Sequence, residues 1–216
     1  MSLSSPGMAD WVTISALATA GGTLILAVAT FSSVRSANRA ARAAERSLLA
    51  GLRPVLMPSR LQDLPQKVSF ADQHWVTIEG GHAAFEVSPE AIYLVIGLRN
   101  AGSGIAVLHG WYFYPERIAT APPPETKAFR RLTRDIYVPA GDTGFWQGAL
   151  RDPNEPIFAT ARDAANAAQP VTVDLLYGDH EGGQRMISRF ALSSTPKGSW
   201  LAVVGRHWNL DRPNPR

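Results

Sequence analysis

Hydrophobic and polar positions along this chain follow two regimes that meet near Gly51. The first begins with WVTISALATAGGTLILAVATFSSV, 24 consecutive uncharged residues bounded by Asp10 and Arg35. About 20 apolar residues cross the ~30 Å hydrocarbon core of a bilayer, and a helix satisfies its own backbone hydrogen bonds there. The pattern predicts a transmembrane helix over residues 11–34, with Trp11 as an interfacial aromatic and residues 1–10 as a short extracytoplasmic tail. A cleaved signal peptide using Ala27-Val28-Ala29 is the first rival, but nothing before Trp11 is basic, as such a peptide requires. The second rival is a buried core helix, and such helices seldom run this long without a charge.

The apolar run passes into residues 35–52, rich in Ala, Arg, Glu and Leu and free of proline. These are strong helix formers, so a basic juxtamembrane helix should continue the span until Gly51 and Pro54 stop it. Val34, Ala37, Ala41, Ala44 and Leu48 recur at heptad spacing, while Arg35, Arg39, Arg42 and Arg46 fall on the opposite face. Three readings stay open: a short coiled coil pairing two anchors, a helix whose arginines meet anionic head groups at about 1 kcal/mol each, and a solvated spacer. Within the span, Ser15, Ala18, Thr19, Gly22, Thr23 and Ala27 form a candidate helix-association face, because small and hydroxyl residues let helices approach closely.

The second regime consists of short apolar runs separated by Gly, Pro and Asn. Strands are predicted at 54–58, 75–78, 83–87, 91–98, 105–114, 136–139, 145–150, 171–177, 184–192 and 200–206. Period-two alternation is clear in Ile92, Leu94, Ile96, Leu98 and in Val171, Val173, Leu175, Tyr177. Residues 178–183 join two strong strands and read as a hairpin. Pro156 opens a helical stretch to about Ala168, with Asn154 or Glu155 near its start, and this insert is expected to pack across one end of the sheet. The expected fold is mainly β: an antiparallel immunoglobulin-like β-sandwich over residues 53–208, one inserted short helix, and a disordered tail at 209–216.

Charge adds a direction. Residues 35–53 hold five arginines against Glu45, which with Asp10 accounts for the whole net charge of +3 and leaves residues 54–216 neutral. A neutral β region argues against a nucleic-acid partner. Arginines after the span and none before it place the N-terminus outside and the C-terminal domain in the cytoplasm, anchored in a bacterial inner membrane.

Three sequence elements carry a resemblance: Arg53-Pro54-Val55-Leu56, Leu98-Arg99-Asn100-Ala101-Gly102, and Tyr177-Gly178-Asp179 with Gly182 or Gly183. On these the chain is similar to a loose class of bacterial single-pass membrane proteins with an N-terminal anchor, an arginine-rich helix and an immunoglobulin-like sandwich. The resemblance implies a fold and no activity.

Candidate chemistry is sparse. The absence of cysteine excludes disulfides, thiolate metal sites and a cysteine nucleophile. No two of the five histidines have metal-ligand spacing on a helix, and Asp179-His180-Glu181 reads as a polar hairpin tip. No G-x-S-x-G, P-loop or G-x-G-x-x-G is present, and Gly102-Ser103-Gly104 reads as a turn. No catalytic residue, metal or cofactor is expected. Asp174, within a strong strand, is expected to face solvent in step with Thr172, the alternative being an unusual buried acid. Lys127, Arg130, Arg131 and Arg134 form a basic cluster after Pro122-Pro123-Pro124, read as a loop and a candidate contact for anionic lipid. Trp111-Tyr112-Phe113-Tyr114 puts aromatics on both faces of one strand, the outer face expected to lie under the inserted helix.

The resulting expectation is a membrane-anchored, non-catalytic interaction or scaffold protein, its partners the bilayer and a membrane protein or a second copy. The alternatives are a membrane-surface enzyme using Asp179–Glu181 and His207, and a periplasmic ligand-binding sandwich.

Overall fold

A computed structural model describes residues 7–214. The chain divides after Leu48 into two compact units. Helix α1, Gly7–Gly51, contains no proline and makes up the described part of the first unit. Its large apolar side chains, among them Trp11, Leu24, Leu26 and Phe31, are exposed. It is the one described helix long and apolar enough to cross a membrane. The hydroxyls of its span bond to their own helix: Ser15 Oγ donates to Val12 O, Thr19 Oγ1 to Ser15 O and Thr23 Oγ1 to Thr19 O, at 2.8–2.9 Å. Those polar groups are thereby satisfied without a neighbour.

The second unit, from Leu49, is an antiparallel β structure with one short helix. Its strands are β1 (Leu56–Pro58), β2 (Gln66–Ser69), β3 (Trp75–Ile78), β4 (His82–Val87), β5 (Ile92–Asn100), β6 (Ala106–Tyr114), β7 (Arg130–Val138), β8 (Thr143–Leu150), β9 (Val171–Asp179), β10 (Arg185–Ser194) and β11 (Trp200–Asn209). Helix α2 is Pro156–Asn166. Nine strands form one sheet in the order β1-β5-β4-β11-β10-β9-β6-β7, with β8 also on β5. The expected antiparallel, turn-rich architecture is present, but the expected immunoglobulin-like pair of facing sheets is not reproduced: the ladders form one continuous path, curled into a half-barrel.

The reason lies in strands buried on both faces. Ile92, Leu94, Ile96 and Leu98 of β5 point into the main core, each stabilising the fold by about 1.5–3 kcal/mol over exposure. Tyr93 and Val95 point outward, where Val68, Phe70, Val76 and Ile78 of the separate β2–β3 hairpin cover them. A second full sheet is therefore unnecessary. Inside the curl, α2 inserts Phe158, Ala161 and Ala164 at helical spacing, with Pro156 at its first turn.

The expectation for the aromatic strand needs correction. Trp111 and Phe113 join the main core that α2 helps fill, but Tyr112 and Tyr114 are not covered by α2. Tyr112 packs against Tyr114 and Phe129, beside Trp208. Of the tail expected to be disordered, Leu210 N–H donates to Arg185 O at 3.0 Å and Asp211 pairs with Arg185 at 2.8 Å. Residues 1–6 and 215–216 of the predicted tails lie outside the described residues.

Candidate partner-binding cleft

The half-barrel is open at one seam. Among the described residues β7 pairs only with β6, and β8 only with β5. The turn at 139–142 brings them together at one end, where a Cβ on Gly144 would stand 2.9 Å from a Val138 methyl. Beyond it no ladder joins the two strands among the described residues. Between them opens a cleft of about 540 Å³, bordered by Ser69–Ala71 at the end of β2. The backbone of β7 is already irregular here. Leu108 pairs with Ile136 and Gly110 with Arg131, so His109 alone stands opposite residues 132–135, a bulge that bends the edge.

Trp111, Leu132, Ile136 and Ala149 supply apolar lining, and Gly148 keeps room beside Trp146, whose ring a Cβ there would meet at 2.6 Å. Four arginines and no acidic residue line the rest. Arg130 pairs with Glu155 and lies 5.6 Å over the Trp111 ring. Arg134 Nη2 donates to Gln147 Oε1 at 2.9 Å, bridging the seam. Arg151 Nη2 donates to Asp72 Oδ2 at 3.3 Å. Arg131 has no ion-pair partner among the described residues. Partial burial raises the Asp72 carboxyl, but hydrogen bonds from Tyr93 and from the His74 backbone, with the Arg151 charge, outweigh it and hold it below its ordinary range. Exposed pairs such as these contribute about 0–1 kcal/mol, so an incoming anion competes with them easily.

The basic cluster expected on a loop is therefore split. Arg130, Arg131 and Arg134 lie on strand β7 and line the cleft. Lys127 pairs with Glu125 and faces a neighbouring hollow with His109, Asp135 and Arg185. Arg151 joins the cleft from the far end of β8, where nothing in the local sequence marks it as a companion of Arg131. In the first unit, Ser15, Thr19, Thr23 and Ala27 line one shallow helical face with Val12, Ala16, Ala20 and Leu24, while Ala18 and Gly22 lie off it. Val34, Ala37, Ala41, Ala44 and Leu48 are exposed, as are Arg35, Arg39, Arg42 and Arg46.

The residues of the enzymatic alternative do not share a described cavity. Asp179 is buried and accepts from Gly183 N–H at 2.9 Å, whereas His180 turns out to Glu181. His207 Nδ1 shares a 2.6 Å hydrogen bond with Ser188 Oγ, which also bonds Tyr177 OH at 2.8 Å. A serine–histidine contact of this kind activates nucleophiles elsewhere, but Ser188 is wholly buried and no substrate reaches it. Burial, and then the Arg53 charge, push the His207 imidazole below its ordinary 6.5. A depressed histidine contributes stability that is present above its unfolded pKa and lost as pH falls through the folded one. Thermal unfolding is thus expected at lower temperature as pH drops below 6.5, and His207→Gln should flatten that slope; His109, lowered chiefly by burial, acts in the same direction.

Two features were invisible or misread. Asp174, expected at the surface, is buried and forms a bidentate pair with Arg189, Nε to Oδ1 at 2.8 Å and Nη2 to Oδ2 at 2.7 Å. Strand register is the cause, since Arg189 lies directly opposite Asp174 in the β9–β10 hairpin. Burial pushes the Asp174 carboxyl up, against the pull of the guanidinium. Arg189 Nη1 also donates to Ala121 O at 2.7 Å, tying down the loop before the Pro122-Pro123-Pro124 run.

The second is a socket around residues 49–56. Gln184 Nε2 donates to Leu49 O at 2.6 Å, Ser103 N–H to Arg53 O at 3.0 Å, and Arg53 Nη2 to Asn209 Oδ1 at 2.9 Å. Carbonyls left over at a helix end are satisfied this way. Gly104 permits the approach, because a Cβ there would fall 1.8 Å from Leu52 O. The three elements singled out in the sequence, around Arg53, Asn100 and Tyr177, all meet here. The chain matches no known protein family, no curated protein and no solved structure.

Proposed function

We propose that this chain is a membrane-anchored, non-catalytic interaction protein whose β unit docks onto another membrane component through the seam between β7 and β8. In this reading α1 crosses a bacterial inner membrane once, with the N-terminus outside, and its arginines at 35–46 mark the cytoplasmic side. The observation that carries the proposal is the cleft itself: four arginines, no acid and an apolar floor, at a place where two strands leave their edges unladdered. Elsewhere the buried Asp174–Arg189 pair and the Tyr177–Ser188–His207 chain are turned inward, which suits scaffolding more than turnover.

A photoreactive residue at Thr133, exposed beside the cleft, tests this in the membranes of cells expressing the chain. A discrete protein adduct is expected there and none from the same probe at Lys197, in the exposed turn before β11. Identical adducts from both positions, or lipid adducts alone, overturn the docking site. Digestion of the β unit by protease added outside spheroplasts overturns the orientation.

A further inference from the structure

Resting on the docking reading, we infer that the cleft takes an extended acidic segment of the partner protein, added as a strand between β7 and β8. Unladdered strand edges present rows of N–H and C=O groups that template another chain, and soluble domains usually cover or close them. Here two such edges border one cleft, β8 regular over its length and β7 bulged at residues 132–135. An added strand supplies main-chain hydrogen bonds as affinity and alternate side chains as specificity.

The chemistry of the cleft sets which strand. Beyond the Arg134–Gln147 bridge the regular open edge is that of β8, from Gln147 to Leu150, ~10 Å at strand rise, the length of a three- or four-residue segment. Arg131 is unengaged and Arg130 and Arg151 hold only exposed partners, so alternate carboxylates find cations on the rim. The intervening side chains meet Trp111, Leu132 and Ala149. A second copy of this cleft is excluded as the occupant by like charge. A lipid surface would meet the arginines but leave the backbone edges and the apolar floor unused.

The test uses the full chain in neutral detergent and a fluorescein-labelled octapeptide of alternating glutamate and valine, read by anisotropy at low salt. Saturable binding is expected, weaker by at least ~10-fold for the lysine–valine peptide and for a version with two central residues replaced by proline, which cannot form the ladder. The Arg131→Glu and Arg134→Glu double variant should lose ~10-fold or more with unchanged circular dichroism and melting temperature, both sites being exposed. No binding overturns the inference, and so does equal binding of the proline peptide, which would reduce the cleft to a charge patch. Complete displacement by phosphatidylglycerol vesicles but not phosphatidylcholine ones assigns the arginines to lipid and overturns it too. Cleft-specific crosslinking from Thr133 without peptide binding sinks this inference while the docking reading stands; peptide binding without that crosslink overturns the docking reading and, with it, the partner protein as the source of the strand.

Discussion

Asp174→Ala is expected to destabilise the β unit by about 3–5 kcal/mol, the cost of leaving Arg189 charged and buried without its partner. The side chains of Arg189 and Asp174 are 2% and 0% exposed, so water cannot take over the lost hydrogen bonds. Tyr114 and Trp208 flank the guanidinium at 5.3 and 4.9 Å and would soften the loss without replacing a carboxylate. Since domains of this size have about 5–15 kcal/mol in hand, the single variant should sit near the threshold of folding. The double change Asp174→Leu with Arg189→Met should recover most of the loss, because a matched apolar pair avoids the desolvation penalty. Chemical denaturation of the three proteins measures this. A single variant within 1 kcal/mol of the parent would mean that the pair does not hold the sheet.

Asn100→Leu is expected to cost a similar or larger amount. The Asn100 amide is wholly buried and makes four hydrogen bonds: Nδ2 donates to Gly104 O at 2.6 Å and Val138 O at 3.0 Å, and Oδ1 accepts from Val55 N–H and Gly102 N–H at 3.0 Å. Leucine has nearly the same shape but leaves four backbone groups unmatched, each at about 1–3 kcal/mol if water cannot enter. The damage concentrates at the socket, so hydrogen exchange should rise first at Val55 and Gly102, ahead of the β9–β10 hairpin. Uniform acceleration across the sheet would count against a local role for Asn100.

The long apolar helix and the strongest strands were legible because their information is local. Ile92, Leu94, Ile96 and Leu98 announce a buried face by spacing alone, and Trp75–Ile78 appears where it was predicted. β2 was missed because only Val68 of its four residues is buried, so no alternation marks it. β7 was shortened to its last residues because RRLTRD is polar, the composition an edge strand carries and a loop shares. The closing of one sheet where two were expected is a matter of partner choice. Alternation tells which way a side chain points and not that Trp200 will pair with Ala83. The cleft escaped notice for the same reason, since Arg131 and Arg151 become neighbours only through β6 and β5. The elements around Arg53, Asn100 and Tyr177 are each legible as turn or strand-end motifs, but their shared task at residues 49–56 depends on contacts up to 156 positions apart.

The place of β11 between β4 and β10 has a consequence for synthesis. At roughly 5–20 residues per second, ribosomes need about 6–20 s to make the 112 residues separating Val87 from Trp200. During that interval the outer edge of β4, which Trp200 and Leu201 later occupy, has no partner. Helix α1 is made before any strand, whereas the sheet cannot join β4 to β10 until β11 has been made.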